Sequence, residues 1–171
     1  MPQDWKQQLT LTTKASELIE LLQEIAAQEN ISGVTRQCLE LLAHDDSEVR
    51  VWAAEALESA AQPGAAETQP LTEWLEKLIE QQATAARKAF VWPSASQPTQ
   101  AKQNKPNEQL ATSLLADQLY WTATMIGRIG AEAATADPIL ARLEELKNHP
   151  GAADFHAAAA RAERVRRNFS A

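Results

Sequence analysis

The chain has one cysteine, Cys38, among 171 residues, so an intrachain disulfide is impossible and an oxidising compartment gains no support. Aromatic residues are scarce as well, at 5% against 44% apolar residues overall, so a core must be built mainly of Ala and Leu. Both are strong helix formers, and Ala lets helices approach closely. Val, Ile, Tyr and Phe are few and nowhere alternate over a sustained run, which excludes a substantial sheet. No window approaches the roughly 20 apolar residues that cross a bilayer. The start "MPQDWKQQLTLTTK" lacks the basic segment and apolar run of a secretory signal. These absences predict an all-α protein, soluble and cytoplasmic, without membrane association. The length suits one domain or a short repeat array.

Leu18, Leu21, Leu22 and Ile25 recur at helical spacing, and Asn30 and Gly33 suit the end of that helix. A second helix is expected over 34–43, with Leu39 and Leu42 on one face. In "AHDDSEVRVWAAEALESA" Asp45 is expected to cap the next helix, with Glu48 three residues on completing a capping box. Acids there also match the positive end of the helix dipole. Val49, Ala53, Ala56, Leu57 and Ala60 form its buried stripe. Pro70 suits a first helical position, where no donor is lost, and Leu71, Trp74, Leu75, Leu78 and Ile79 follow as a clean apolar stripe. A shorter helix is expected over 84–92. Residues 94–109 lack large apolar side chains and carry Pro98 and Pro106, which predicts a flexible loop inside a single domain over 1–171. Further helices are expected over 108–130, 137–146 and from 153 onward, the last with Phe155, Ala159, Ala162 and Val165 on one face.

Two segments repeat. Setting "WAAEALESAAQPGAAETQPLTEWLEKL" over "WTATMIGRIGAEAATADPILARLEEL" with one gap aligns Trp52 with Trp121, Leu57 with Ile126, Pro70 with Pro138, Leu75 with Leu143 and Leu78 with Leu146. The offset is 68 to 69 residues, and its half, about 34, is a length typical of two-helix solenoid repeats. Each such pair has an apolar face that only a stacked neighbour covers.

"DDSEVRVWAAEAL" resembles the second helix of a HEAT or HEAT-like (armadillo-type) repeat, with its acidic turn, Val-Arg and Ala-Ala-x-Ala-Leu stripe. "MIGRIGAEAATADPILARL" resembles the helix end, Gly-containing turn and following helix of the same family. The resemblance implies a short right-handed α-solenoid, or superhelix, of antiparallel helix pairs. It also implies that Arg50 bridges to an acid in a neighbouring repeat. In the second copy Gln118 and Leu119 replace Val49 and Arg50, so the acid-arginine feature is missing there.

No catalytic set assembles from these residues. Asp45, Asp46 and Glu48 lack the alternate oxygens and central Gly of an EF-hand loop. His44, His149 and His156 lack zinc-site spacing and cysteine partners. Cys38 has no activating motif, and its apolar setting points to packing. Gly127 and Gly130 are read as marking a helix end. No cofactor or metal is expected. Trp52, Trp74 and Trp121 fall on apolar stripes and are read as packing between repeats. Trp92 and Tyr120, beside the predicted loop, are the better candidates for a partner surface.

Charge is distributed unevenly: residues 1–80 hold 5 Lys/Arg and 15 Asp/Glu, and residues 81–171 hold 11 and 8. Arg128, Arg161, Arg164 and Arg167 therefore join Trp92 and Tyr120 as candidate partner-binding residues. The expected function is a non-enzymatic protein-protein interaction module, a scaffold or adaptor. Two alternatives stay open at this point. One is a nucleic-acid-binding module using the basic C-terminal half, and the other a lyase- or chaperone-like HEAT protein handling a small ligand. Self-association of acidic and basic ends is a further possibility. As a cap, Asp45 predicts that Asp45→Asn costs at most about 1–2 kcal/mol in a denaturation experiment.

Overall fold

The computed structural model describes residues 4–12, 14–89, 105–148 and 153–169. Among them are eight α-helices and no strand: α1 (Trp5–Leu11), α2 (Ala15–Ala26), α3 (Thr35–Leu41), α4 (Ser47–Ser59), α5 (Thr68–Ala89), α6 (Lys105–Ile129), α7 (Asp137–Glu145) and α8 (His156–Phe169). Short 3-10 turns lead into α5, α7 and α8. The all-α class follows from the Ala- and Leu-rich composition, as expected.

The apolar stripes read from helical spacing face the core. Leu18, Leu22 and Ile25 of α2, Val49, Ala53, Ala56 and Leu57 of α4, and Leu71, Leu75 and Leu78 of α5 are buried, as are Phe155, Ala159, Ala162 and Val165 at the C-terminal end. The helices pack in series: α2 on α4, α3 on α4, α5 on α6, α7 on α8 and α6 on α8, with lighter contacts of α6 to α3 and α4. α6 thus contacts helices both before and after it in the chain. A single parallel bridge between Ile31 and Ala61 ties the α2–α3 link to the end of α4.

Several boundaries differ from the sequence expectation, each for a local reason. The cap of α4 is Asp46, not Asp45: its Oδ1 accepts from the backbone N–H of Glu48 at 2.8 Å and of Val49 at 3.4 Å. His44 Nδ1 accepts the Asp46 N–H at 3.1 Å, which holds the turn and moves the helix start one residue on. Glu48 then sits one position too early for a capping box. A reciprocal pair of that kind occurs before α5, where Gly64 N–H donates to Glu67 Oε2 at 3.2 Å and Glu67 N–H to the Gly64 carbonyl at 2.9 Å. Asp4 caps α1, a helix the spacing analysis missed, by accepting the Gln7 N–H at 3.0 Å.

The separate helix expected over 84–92 does not exist, because nothing between Ile79 and Thr84 breaks a helix and α5 runs on to Ala89. Thr84 stays helical by donating its hydroxyl to the Glu80 carbonyl at 2.9 Å. Of the loop expected over 94–109, residues 105–109 are the start of α6, where Pro106 costs no hydrogen bond; residues 94–104, and Trp92, lie outside the described residues. Pro70 is the third residue of α5, not its first. The expected unit of about 34 residues is not found among the described residues. Between Trp52 and Trp121 the described chain holds the end of α4, α5 and part of α6, with no further helix pair.

Gly127 is not a helix end either; it lies inside α6. A Cβ there would come within 2.7 Å of Val165 Cγ2, so the glycine sets how closely α6 and α8 approach. Gly130, with φ of 79°, is the residue that turns the chain out of α6. The cap assignment separates two variants: Asp46→Ala is expected to destabilise by about 1 kcal/mol in urea denaturation, against less than about 0.5 kcal/mol for Asp45→Asn.

Candidate interaction surface

Arg128 projects from the last turn of α6 onto the C-terminal end of α4. Its guanidinium donates to the carbonyls of Leu57, Glu58 and Ala61, the latter two at 2.8 and 2.9 Å. These acceptors lack intrahelical donors and lie at the negative end of the helix dipole, so a cation there is doubly matched. Burial, then the neighbouring Arg161 charge, lowers the Arg128 pKa, with Glu58 acting the other way.

The register that sets Trp52 on Trp121 also sets Ser59 on Arg128. Ser59 donates its hydroxyl to the Ala26 carbonyl, at the end of α2, at 3.0 Å. Matched positions on α4 and α6 therefore each supply donors to the end of the helix before them in the series α2, α4, α6. The alignment contained this signal, which a search for apolar matches passes over.

The remaining candidates fall in different settings. Tyr120 is half-buried and meets Trp121 edge-on, with ring centroids 5.7 Å apart. Trp52, Trp74 and Trp121 are likewise half-buried against the core. Arg161 donates from Nε to the Thr124 hydroxyl at 3.1 Å. Arg164 is exposed, and Arg167 pairs with Glu163 one turn away. Trp92 cannot join them here, since it lies outside the described residues.

Much of the C-terminal positive charge is met within the chain. Arg166 bonds Asp137 at 2.8 Å and Glu144 at 2.7 Å, Lys147 bonds Glu144 at 2.9 Å, and Arg142 bonds Glu76 at 2.9 Å. Arg50 follows neither the family expectation of an ion pair nor an exposed role. It donates to the His44 and Asp45 carbonyls at 2.7 and 2.9 Å. Its charge is nevertheless felt by Asp117 on α6, whose pKa burial raises and Arg50 opposes.

Sequence reasoning missed two polar links at the centre of the molecule. Gln118, buried, donates to the Leu39 carbonyl of α3 at 3.0 Å. Arg36 of α3 stacks 4.1 Å over the Trp74 ring of α5. Neither leaves a periodic trace, because each joins residues far apart in sequence.

Cys38 is fully buried, and burial pushes its thiol up to about 12. That suppresses the thiolate a nucleophile requires. His44 is spent on the Asp46 N–H, His156 is exposed at the start of α8, and His149 lies outside the described residues. Among the described residues no three His, Cys, Asp or Glu side chains group to hold a metal ion, and no helix is long and apolar enough to cross a membrane. Two shallow surface depressions flank α1, one lined by Asp4, Lys6, Gln7 and Thr10, the other running to Glu17, Leu21 and Glu24 on α2. Neither brings an acid and a base together over a buried floor.

The chain matches no protein family, no curated protein and no solved structure.

Two variants probe this surface's supports. Arg128→Met is expected to cost about 1–3 kcal/mol by leaving α4 carbonyls without their donors, seen as a lower urea midpoint. Glu144 has a lowered pKa because Lys147, and then Arg166, hydrogen-bonds its carboxylate. A carboxyl group depressed by folding contributes stability above its unfolded pKa and loses it as pH falls through the folded one. Glu144→Gln should therefore lower the midpoint near neutral pH and leave it unchanged in strong acid.

Proposed function

We propose that this chain is a short right-handed α-solenoid of HEAT-like, antiparallel helix pairs, working as a non-enzymatic protein-interaction module. The observation that carries the reading is the pair of matched links, Ser59 to the end of α2 and Arg128 to the end of α4. Donors at equivalent repeat positions, each acting on the helix before, are what repeated stacking requires. Contacts of α3 with α4, α5 with α6 and α7 with α8 support the pairing.

Function in such a module is a matter of shape and side chains on an exposed helix face. Val51 on α4 and Leu110 on α6 are large apolar residues at 64% and 49% exposure, on the helices that carry the half-buried Trp52 and Trp121. Exposed apolar groups next to rigid aromatic anchors suit a protein partner. The nucleic-acid alternative is weakened by the chain's own pairing of Arg142, Arg166 and Arg167 with carboxylates. Phosphate binding draws on unpaired cations.

The test is affinity purification from the native cell with wild type against Val51→Glu. A specific protein retained by wild type and lost by the variant is expected. Absence of any macromolecular partner, together with turnover of a small molecule, would overturn the proposal.

A further inference from the structure

We infer that Arg161 and Arg128 form a clamp for a side-chain carboxylate of an acidic protein partner; this rests on the interaction-module reading. Thr124 and Arg128 are four residues apart on α6, so their side chains share one face. Arg161 crosses from α8 and fixes its Nε on the Thr124 hydroxyl at 3.1 Å, one helical turn from Arg128 along that face.

The two cations are brought together with no carboxylate bonded to either among the described residues. Arg128 gives Nη1 to the carbonyls of Leu57 and Ala61 and Nη2 to that of Glu58, and its Nε–H bonds no described residue. Arg161 engages through Nε alone, and its terminal nitrogens bond no described residue. The next arginines on α8 differ, since Arg166 holds Asp137 and Glu144, and Arg167 holds Glu163. Each is already neutralised.

Like charges gathered in one place are unfavourable, and the Arg161 charge, after burial, lowers the Arg128 pKa. An incoming anion relieves that repulsion. The half-buried setting of both arginines screens the gain less than open solvent does. The free edge of Arg161 presents paired N–H groups in one plane, the geometry that a carboxylate accepts bidentately.

A carboxylate fits better than a phosphate chain. Glu58 on α4 is exposed and its charge acts on Arg128, so it repels an extended polyanion more than a single acidic side chain. Trp121, one turn before Thr124, adds a half-buried aromatic surface for the rest of a peptide.

The experiment is an NMR titration of arginine Nε–H resonances with an otherwise neutral peptide carrying a single glutamate, and separately with inorganic phosphate and a ten-residue oligothymidylate. Saturable shifts at Arg161 and Arg128 are expected. Arg161→Gln should weaken peptide binding about tenfold, the effect of one charge-assisted contact, whereas Lys77→Gln, an exposed cation on α5, should change it less than about twofold. Equal weakening by both variants, no saturable shift at Arg161, or tighter binding of phosphate or oligothymidylate than of peptide would each overturn the clamp. Should Arg161→Gln fail to melt cooperatively, the wild-type shifts decide alone. A purified partner that binds Arg161→Gln as well as wild type sinks the clamp and leaves the module standing. The single-glutamate peptide bound at Arg161 by a chain that retains no protein partner supports the carboxylate site at Arg161 and sinks the module.

Discussion

The guanidinium of Arg128 on the end of α4 is the contact on which the arrangement of this molecule turns. α6 touches α3 and α4 lightly, yet these contacts are part of where the α1–α4 part of the chain meets the α5–α8 part. Apolar burial is non-directional and tolerates sliding. Hydrogen bonds to particular carbonyls do not. Arg128 on Leu57, Glu58 and Ala61, Gln118 on Leu39, and Arg36 over Trp74 together set register across that junction. The core supplies cohesion, and these few polar contacts select one arrangement of it.

Small side chains make the arrangement possible. Ala53, Ala56, Ala123, Ala158, Ala159 and Ala162 are buried in the even-numbered helices, where larger residues would hold neighbouring axes apart. Gly127 carries this furthest, since Val165 occupies the space a Cβ would need. A glycine inside a helix costs about 1 kcal/mol relative to alanine, and here the close packing of α6 on α8 offsets it. The scarcity of aromatics is thus part of the packing scheme. Trp52, Trp74 and Trp121 sit at the core's margin, and Phe155 is buried within it.

The charge asymmetry of the chain has a similar internal explanation. Acidic Asp137, Glu144 and Glu163 lie against Arg166, Lys147 and Arg167, so the basic C-terminal region is largely a network between α7 and α8. Such exposed pairs stabilise modestly and are screened by salt. Their larger consequence is selective: they leave Arg161 and Arg164 as arginines of α8 with no carboxylate partner among the described residues. A count of arginines along the sequence cannot make that distinction.

What the sequence by itself determined is local. The all-α class, the buried stripes of α2, α4, α5 and α8, and the burial of Cys38 follow from composition and from spacing near 3.6 residues, because helix formation and amphipathicity act within a few turns. The choice between Asp45 and Asp46 as cap was already beyond it, since both acids suit the role and the His44 ring decided. The continuity of α5 escaped it where polar residues replaced the apolar period without a breaker. Tertiary structure alone decided which cations are spent and which remain. Arg128, Arg161 and Arg166 are alike as residues, but one meets a helix end, one a hydroxyl and one two carboxylates. Those partners lie 22 to 71 residues away, a separation at which spacing along a chain carries no information about distance in space.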